Sequence, residues 1–447
     1  MTKKIVIVGG VGGGATAASQ LRRFDKTSEI VLFDKGRHIS FSNCGMPYHI
    51  GTFIDDRDSL LFPEEKFSEN YNVNVRSGTE VISIDRAGKC VECRNDERTY
   101  MESYDVLILS PGASAAFPDI PGVENSRTFL LHTIPDMDKI NEYIRTHQPK
   151  TATVTGAGFV GLEMLENLHS LGIQCTMINR SNRIFRPVDE DMSTPVPEHL
   201  KEKGVTVHLD DGVNKFSEDG KIVHLKSGTE IKSDLNIMSV GIQPNVSLAE
   251  EAGLEIGETG GIKVNDCMQT SDPDIYALGD VVETGNYVTG APVNIALAPP
   301  AHRQAYILSG HLNGSTETYK GVLGTAVIKL FDLTIGAAGH NSDQLDALHL
   351  EYDSVEVEAK SHAGYYPGAE KLWLKVLFNP ADGMMYGAQA VGFDGADKRL
   401  AVLSTAIHAK MKVSELSELE LGYAPPYSSP KDPVNILGYK AAGKLKK

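Results

Sequence analysis

The chain repeats one pattern, and that repetition constrains its fold more than any other feature. Ile5-Val6-Ile7-Val8 is a short β-branched run that passes into Gly9-Gly10-Val11-Gly12-Gly13-Gly14 and then a helical stretch from Ala15 to about Phe24. A second apolar run, Ile30-Val31-Leu32-Phe33, follows and ends at Asp34. Much later, residues 151–155 lead into Gly156-Ala157-Gly158-Phe159-Val160-Gly161, a helix to about Leu171, and a strand, Gln174–Ile178, that ends at Asn179-Arg180. Strand, glycine turn, helix and parallel strand make the βαβ unit of a dinucleotide fold. Such a turn aims backbone N–H groups and a helix N-terminus at a pyrophosphate. The second copy is complete at Gly156, Gly158 and Gly161. The first holds Val11 at the middle position, with Gly9 and Gly14 in frame. Asp34, twenty residues past Gly14, is placed to accept from ribose hydroxyls.

The two acceptor strands end differently. A carboxylate after the second would accept from the 2′-OH of NADH and repel the 2′-phosphate of NADPH. This chain has Asn179-Arg180-Ser181-Asn182-Arg183 there instead. With no acid, and with Arg180 and Arg183 at hand, the site favours NADPH while still admitting NADH.

At 447 residues the chain exceeds one hydrophobic core and calls for roughly two to four domains. Strand-like runs at 81–84 and 106–109 lie between the two units. From about residue 325 the texture changes to antiparallel strands (326–331, 372–378, 386–391) and a helix near 400–412, an α+β unit with no glycine fingerprint. No apolar stretch reaches the roughly 18–20 residues of a membrane helix, and the N-terminus enters its first strand without a signal-like segment. The expectation is a cytoplasmic protein. A formal charge of −16 argues against nucleic acid or an anionic membrane as partner. Five cysteines are too few and too unevenly spaced for a disulfide framework.

One cysteine stands apart. Cys44 lies in Ser40-Phe41-Ser42-Asn43-Cys44-Gly45-Met46-Pro47-Tyr48-His49, just after the first βαβ unit. A helix N-terminus directly after it would stabilise a thiolate. Cys90 and Cys93 form a Cys-x-x-Cys, but on the strand expected there they face opposite ways, and no second pair completes a zinc site. Cys175 and Cys267 read as structural.

Thr270-Ser271-Asp272-Pro273-Asp274-Ile275-Tyr276-Ala277-Leu278-Gly279-Asp280 is a strand ending in Gly-Asp. With the two glycine units, it resembles the pyridine nucleotide-disulfide oxidoreductase family. That resemblance implies FAD on the first unit, with Gly279 and Asp280 closing its site. Gly10, Lys35, Asn43, Gly241 and Ala298 would be further cofactor contacts. It also implies a discontinuous FAD domain (1–120 and 246–324), an inserted NAD(P)H domain (121–245) and a C-terminal dimerisation domain (325–447). Relatives with an internal redox disulfide carry a second cysteine where this chain has His49. A disulfide on Cys44 must therefore form with the substrate, or Cys44 must cycle through a sulfenic acid.

A closer resemblance, to the single-cysteine coenzyme A-disulfide reductase subgroup, rests on Gly13-Gly14-Ala15-Thr16, Ser19-Gln20-Leu21-Arg22-Arg23, Ser42-Asn43-Cys44 and Tyr423-Ala424-Pro425-Pro426-Tyr427-Ser428. It implies that Thr16, Gln20, Arg23, Ser40 and Asn43 line a CoA channel. It further implies that Tyr365 and Tyr423 act from the partner subunit on the departing thiolate, with His302 and Arg303 near the substrate across the dimer. Arg22, Arg23 and Lys26 read as a basic patch suited to a phosphorylated ADP tail. The implied reaction takes electrons from NADPH through FAD to Cys44 and reduces CoA disulfide to CoA. The sequence ends at Lys447 without a rhodanese-like domain, which lowers the weight of a CoA-persulfide or polysulfide reductase. Two rivals keep the cofactors. One is an NAD(P)H oxidase or peroxidase with a Cys44 sulfenic acid, disfavoured because Val11-Gly12-Gly13 lacks the histidine those relatives use. The other is a non-catalytic sensor, which would tolerate Cys44→Ser.

Overall fold

The computed structural model describes residues 3–445, so the terminal Lys447 lies outside it. The repetition in the sequence is a repetition in space. A parallel sheet runs in the order 275–277, 106–109, 4–8, 29–33, 74–76. A second parallel sheet runs 206–208, 174–178, 151–155, 235–238, 128–129. In both, the strand before the glycine turn is central and pairs with the strand after the helix, Val8 opposite Phe33 and Thr155 opposite Ile178. Each unit also carries a three-stranded antiparallel ribbon, at 80–103 and at 213–232. Strands buried on both faces explain the unbroken apolar runs: Val106-Leu107-Ile108-Leu109 is buried throughout.

The C-terminal unit is a five-stranded antiparallel sheet in the order 326–330, 333–339, 385–392, 371–378, 353–360. Its helix spans Ala396–His408, about four residues earlier than the periodicity predicts. Gly395, at φ +69, opens it, and Lys410, at φ +56, turns the chain out of it. The fold class is the one read from the sequence: two Rossmann-like units and a C-terminal α+β domain.

Candidate active site

The glycine turns are closed toward the protein and open outward. Gly9 and Gly156 adopt φ +99 and +104. A Cβ on either would stand 2.0 or 1.9 Å from the carbonyl oxygen of Ser110 or Ser239, so only glycine fits. Gly14 and Gly161 press on the carbonyls of Gly9 and Gly156 in the same way. Gly12 and Gly158 differ: nothing lies within 4 Å of where a Cβ would be. Backbone N–H groups of helices 12–24 and 159–170 therefore begin at an open surface, with Val11 and Gly158 as the residues that start them. Phe159 and Val160 form the first turn of the second helix. That geometry suits a dinucleotide pyrophosphate at each turn.

Asp34 ties its turn together. Its carboxylate accepts from Gly10 N–H and Gly36 N–H, each at 2.7 Å, and burial raises it against those two bonds and Lys35. Asn179 takes the matching place in the second unit, accepting from Ala157 N–H at 3.3 Å. Its amide donates to the carbonyls of Ser181 and Arg183, which folds the loop behind it. Arg180 is exposed and has no side-chain partner among the described residues. Arg183 is already engaged: it pairs with Asp343 of the C-terminal domain at 2.5 Å, with its side chain 11% exposed. Sequence reasoning missed Arg186, which is exposed on the same loop. Gly241, at φ +123, faces open space beside this unit.

Around Cys44 the chain brings together residues from four segments. Asn43–Gly45 is a 3-10 turn, and Met46–Ile50 is a short helix that begins just after it. Gly45 is required by packing, since a Cβ there would meet Leu60 at 2.4 Å. Asn43 donates to the His132 carbonyl at 3.3 Å. Part of Cys44 is open, yet surrounding protein desolvates it. Burial pushes its thiol up, and the charges of Glu163 and Asp280 push it further. This departs from the expected thiolate: a helix of one turn offers a small dipole, and two acids oppose it. Asp280 is raised by burial, eased only by His132, and its carboxyl accepts no hydrogen bond from the described residues. Such a carboxyl suits a ligand hydroxyl. Gly279, at φ +84, donates its N–H to Gln304 on the helix Ala298–His311.

That helix packs along helix 12–24. Thr16 and Ser40 both line a cavity of about 190 Å³, with Ala15, Ser19, Phe62, Phe67 and Tyr71. Ser40 sits at φ +47, held by its N–H on the Gly10 carbonyl. Gln20 and Arg23 continue the same helix outward, Arg23 exposed. The basic patch is smaller than expected. Arg22 lies on the buried helix face, its guanidinium donating to the carbonyls of Asp25, Ser28, Tyr71 and Asn72. Lys26 donates to the Arg22 carbonyl at the helix end. His302 is exposed, while Arg303 pairs with Glu317 and stacks over Tyr306.

Tyr365 and Tyr423 come together far apart in sequence. Their hydroxyls are 3.0 Å apart, and the side chains are strongly exposed, at 75% and 46%. The bond to Tyr365 raises Tyr423, so that phenol keeps its proton at neutral pH. Among the described residues no hydrogen bond joins this pair to the Cys44 segment of the same chain. Cys90 and Cys93 sit on strand 90–94, Cys93 buried and Cys90 half-exposed. Among the described residues no helix is long and apolar enough to cross a membrane.

Residues 3–305 match the pyridine nucleotide-disulphide oxidoreductase family, and residues 325–432 match its dimerisation domain. The chain is 40% identical to coenzyme A disulfide reductase of Staphylococcus aureus strain JH9, over 98% of this chain and 99% of that protein. Reduced Bacillus anthracis CoADR-RHD superposes with a TM-score of 0.97 at 46% identity, over 100% of this chain and 81% of the other. A NAD-dependent persulfide reductase from A. fulgidus follows at TM-score 0.95 and 36% identity, over 99% and 83%. More remotely, an engineered water-forming NADPH oxidase bound to NADPH matches at TM-score 0.93 and 25% identity, over 99% of both chains. With its paired dinucleotide units, its Gly-Asp strand and its dimerisation domain, the chain belongs to the pyridine nucleotide-disulphide oxidoreductase family, whose members use a flavin and a nicotinamide cofactor.

Proposed function

We propose that this enzyme is a cytoplasmic homodimer that reduces coenzyme A disulfide to CoA with electrons from NADPH, through FAD and Cys44. The observation that carries this reading is the similarity to coenzyme A disulfide reductase: 40% identity over 98% of this chain and 99% of that one. Bound flavin supplies the two-electron relay between nicotinamide and sulfur. The protein does the rest. Gly9, Gly14 and Asp34 hold one dinucleotide, and Gly156, Gly158 and Gly161 hold the other. Cys44 attacks one sulfur of the disulfide, releases one CoA thiolate and stays joined to the second CoA until an electron pair opens that bond. Thr16 and Ser40 would receive the pantetheine arm in the cavity between them, with Gln20 and Arg23 toward the nucleotide end. The bonded, exposed pair Tyr365 and Tyr423, offered by the partner subunit, would protonate the departing thiolate, a phenol being an acid that gives up its proton to a strongly basic thiolate.

Arg180 and Arg186 support NADPH. The engineered NADPH oxidase replaces an aspartate, introduces an arginine followed directly by a serine, and adds a second arginine five residues beyond that serine. This chain has Asn179, Arg180-Ser181 and Arg186 in that spacing. Replacing both arginines with alanine is expected to raise KM for NADPH by roughly tenfold for each lost charged contact, with KM for NADH little changed. Steady-state kinetics with the two nucleotides check this; a parallel rise for both would assign the arginines to general binding.

The function itself is tested by anaerobic titration of the purified holoenzyme with NADPH, with mass spectrometry of what leaves Cys44. Release of CoA is expected. A sulfenic acid with no thiol released would favour the peroxidase reading, and preferential turnover of CoA persulfide would move the substrate to that class.

A further inference from the structure

Arg180, Arg183 and Arg186 lie on the loop between the strand Gln174–Ile178 and the short helix Glu190–Ser193. The inner side of this loop belongs to the second dinucleotide unit: Ile184, Phe185 and Val188 are fully buried, and Phe185 N–H donates to the Ala157 carbonyl of the glycine turn at 3.0 Å. Its outer side belongs to the C-terminal domain. Three consecutive residues there, Asn341, Ser342 and Asp343, each take hold of it. The Asn341 amide donates to the Arg186 carbonyl at 2.9 Å. Ser342 donates its N–H and its hydroxyl to Asp189 Oδ1, each at 2.8 Å. Asp343 accepts from the Arg183 guanidinium at 2.5 Å.

Those three residues are themselves fixed. Asn341 caps the helix Ser342–Ala347: its side-chain oxygen accepts from Gln344 N–H while Gln344 accepts from Asn341 N–H, both at 3.0 Å. Asp189 is buried, its N–H donating to Gln389 at 2.7 Å and its second oxygen pairing with the buried Lys375 at 3.1 Å. The far end of the loop therefore has a rigid abutment. Arg183 lies in the middle, between the Asn179 bond to its own carbonyl and the Asn341 bond to the Arg186 carbonyl. Its guanidinium is committed to Asp343, while Arg180 and Arg186 stay exposed.

We propose that Asp343 is a positioning residue for nucleotide selection: through Arg183 it holds the loop in the form that offers Arg180 and Arg186 to the 2′-phosphate of NADPH. This rests on the NADPH reading above. A phosphate bound by exposed arginines has to order their long side chains and the loop that carries them, and that ordering weakens binding. A loop already fixed at Arg183 loses less freedom when the nucleotide arrives. The pair with Asp343 thus favours the phosphorylated nucleotide without touching it. NADH has no 2′-phosphate for Arg180 and Arg186 to hold, so it gains little from the same order.

The test is steady-state kinetics of the flavin-loaded enzyme with NADPH and with NADH, together with hydrogen exchange of the nucleotide-free holoenzyme on the peptide covering 180–188. The Asp343 side chain is 61% exposed, so Asp343→Asn is expected to fold. It is expected to raise KM for NADPH by roughly three- to tenfold, with kcat and KM for NADH little changed, and to speed exchange of the loop amides. Asp343→Glu keeps the charge and is expected to recover most of the wild-type KM. Adding Asp343→Asn to Arg183→Met should change KM for NADPH no further, because both remove one contact. An unchanged KM for NADPH in Asp343→Asn overturns the proposal, and a lower one does so by showing Arg183 withheld from the phosphate. An equal rise for both nucleotides also overturns it, by making the pair a general support of the unit. Faster loop exchange in Asp343→Asn, with a wild type that does not prefer NADPH, faults the NADPH reading and the proposal with it. Unchanged exchange with that preference intact faults the role of Asp343 alone.

Discussion

Replacing Cys44 with serine is expected to cut NADPH-dependent thiol release from CoA disulfide by roughly 10³-fold or more, while NADPH still bleaches the yellow holoenzyme at an unchanged rate. The asymmetry follows from what each residue can bond. Cys44 has to make and break a sulfur–sulfur bond, and an oxygen at that place has no counterpart to the mixed disulfide. The serine hydroxyl is also far weaker as a nucleophile, in a surround where burial, Glu163 and Asp280 already oppose an anion. In the proposed reaction the nicotinamide side does not pass through this sulfur: its contacts would be the turn at Gly156–Gly161 and the loop at Asn179–Arg186. Serine is close in size, and Cys44 is partly open, so the variant should fold and hold flavin normally. Stopped-flow absorbance for the first half and a thiol-reactive dye for the second separate the two outcomes. Thiol release near the wild-type rate would remove Cys44 from the mechanism and leave the sensor reading standing.

The paired Rossmann units were legible because their determinants are local. A glycine at φ near +100 with a carbonyl oxygen 2.0 or 1.9 Å from its missing Cβ is a requirement of one turn, and the sequence states it directly at Gly9 and Gly156. Apolar runs buried on both faces are equally local, and Val106–Leu109 could be read as a strand from four letters. The helix near 400 was displaced because its limits are set by Gly395 and Lys410, turn residues outside the apolar period.

Less of the site was legible, because its charges are spent over long distances. Arg22 and Arg23 are adjacent and look alike. Helix rotation puts the first among four carbonyls and the second in solvent. Nothing near Arg183 announces Asp343, 160 residues on. Glu163 was missed although a signal existed: it is an acid inside Val160-Gly161-Leu162-Glu163-Met164-Leu165, a run whose neighbours are almost all buried. An acid inside an apolar helix run that follows a glycine fingerprint is a reason to ask which group it faces.

Asp432→Asn is expected to destabilise the C-terminal domain by about 3–5 kcal/mol and to cost turnover through tyrosines it never touches. Arg399 and Asp432 are 2% and 3% exposed and pair at 3.0 Å. Arg399 also donates to the carbonyls of Ser361 and Tyr427, and Asp432 accepts from Ser428 and from Val434 N–H. One buried pair thus anchors the segments that carry both Tyr365 and Tyr423. Burial alone would raise Asp432; Ser428, Val434 and Arg399 outweigh it and hold the carboxyl below the usual carboxylate range. A carboxyl depressed by folding stabilises the fold above its unfolded value near ~4, and that contribution is lost as pH falls through the folded value. The gap between wild type and Asp432→Asn should therefore be full at neutral pH and close in acid below about pH 4. Melting curves at neutral pH should fall by roughly 10 °C. Adding Arg399→Met should recover part of the loss, because the guanidinium would no longer be buried unpaired. Thiol release should drop in the single variant while NADPH bleaching persists, which separates a loosened tyrosine pair from a damaged nucleotide site. If the neutral-pH melting curves of variant and wild type coincide, the pair is not what holds these tyrosines.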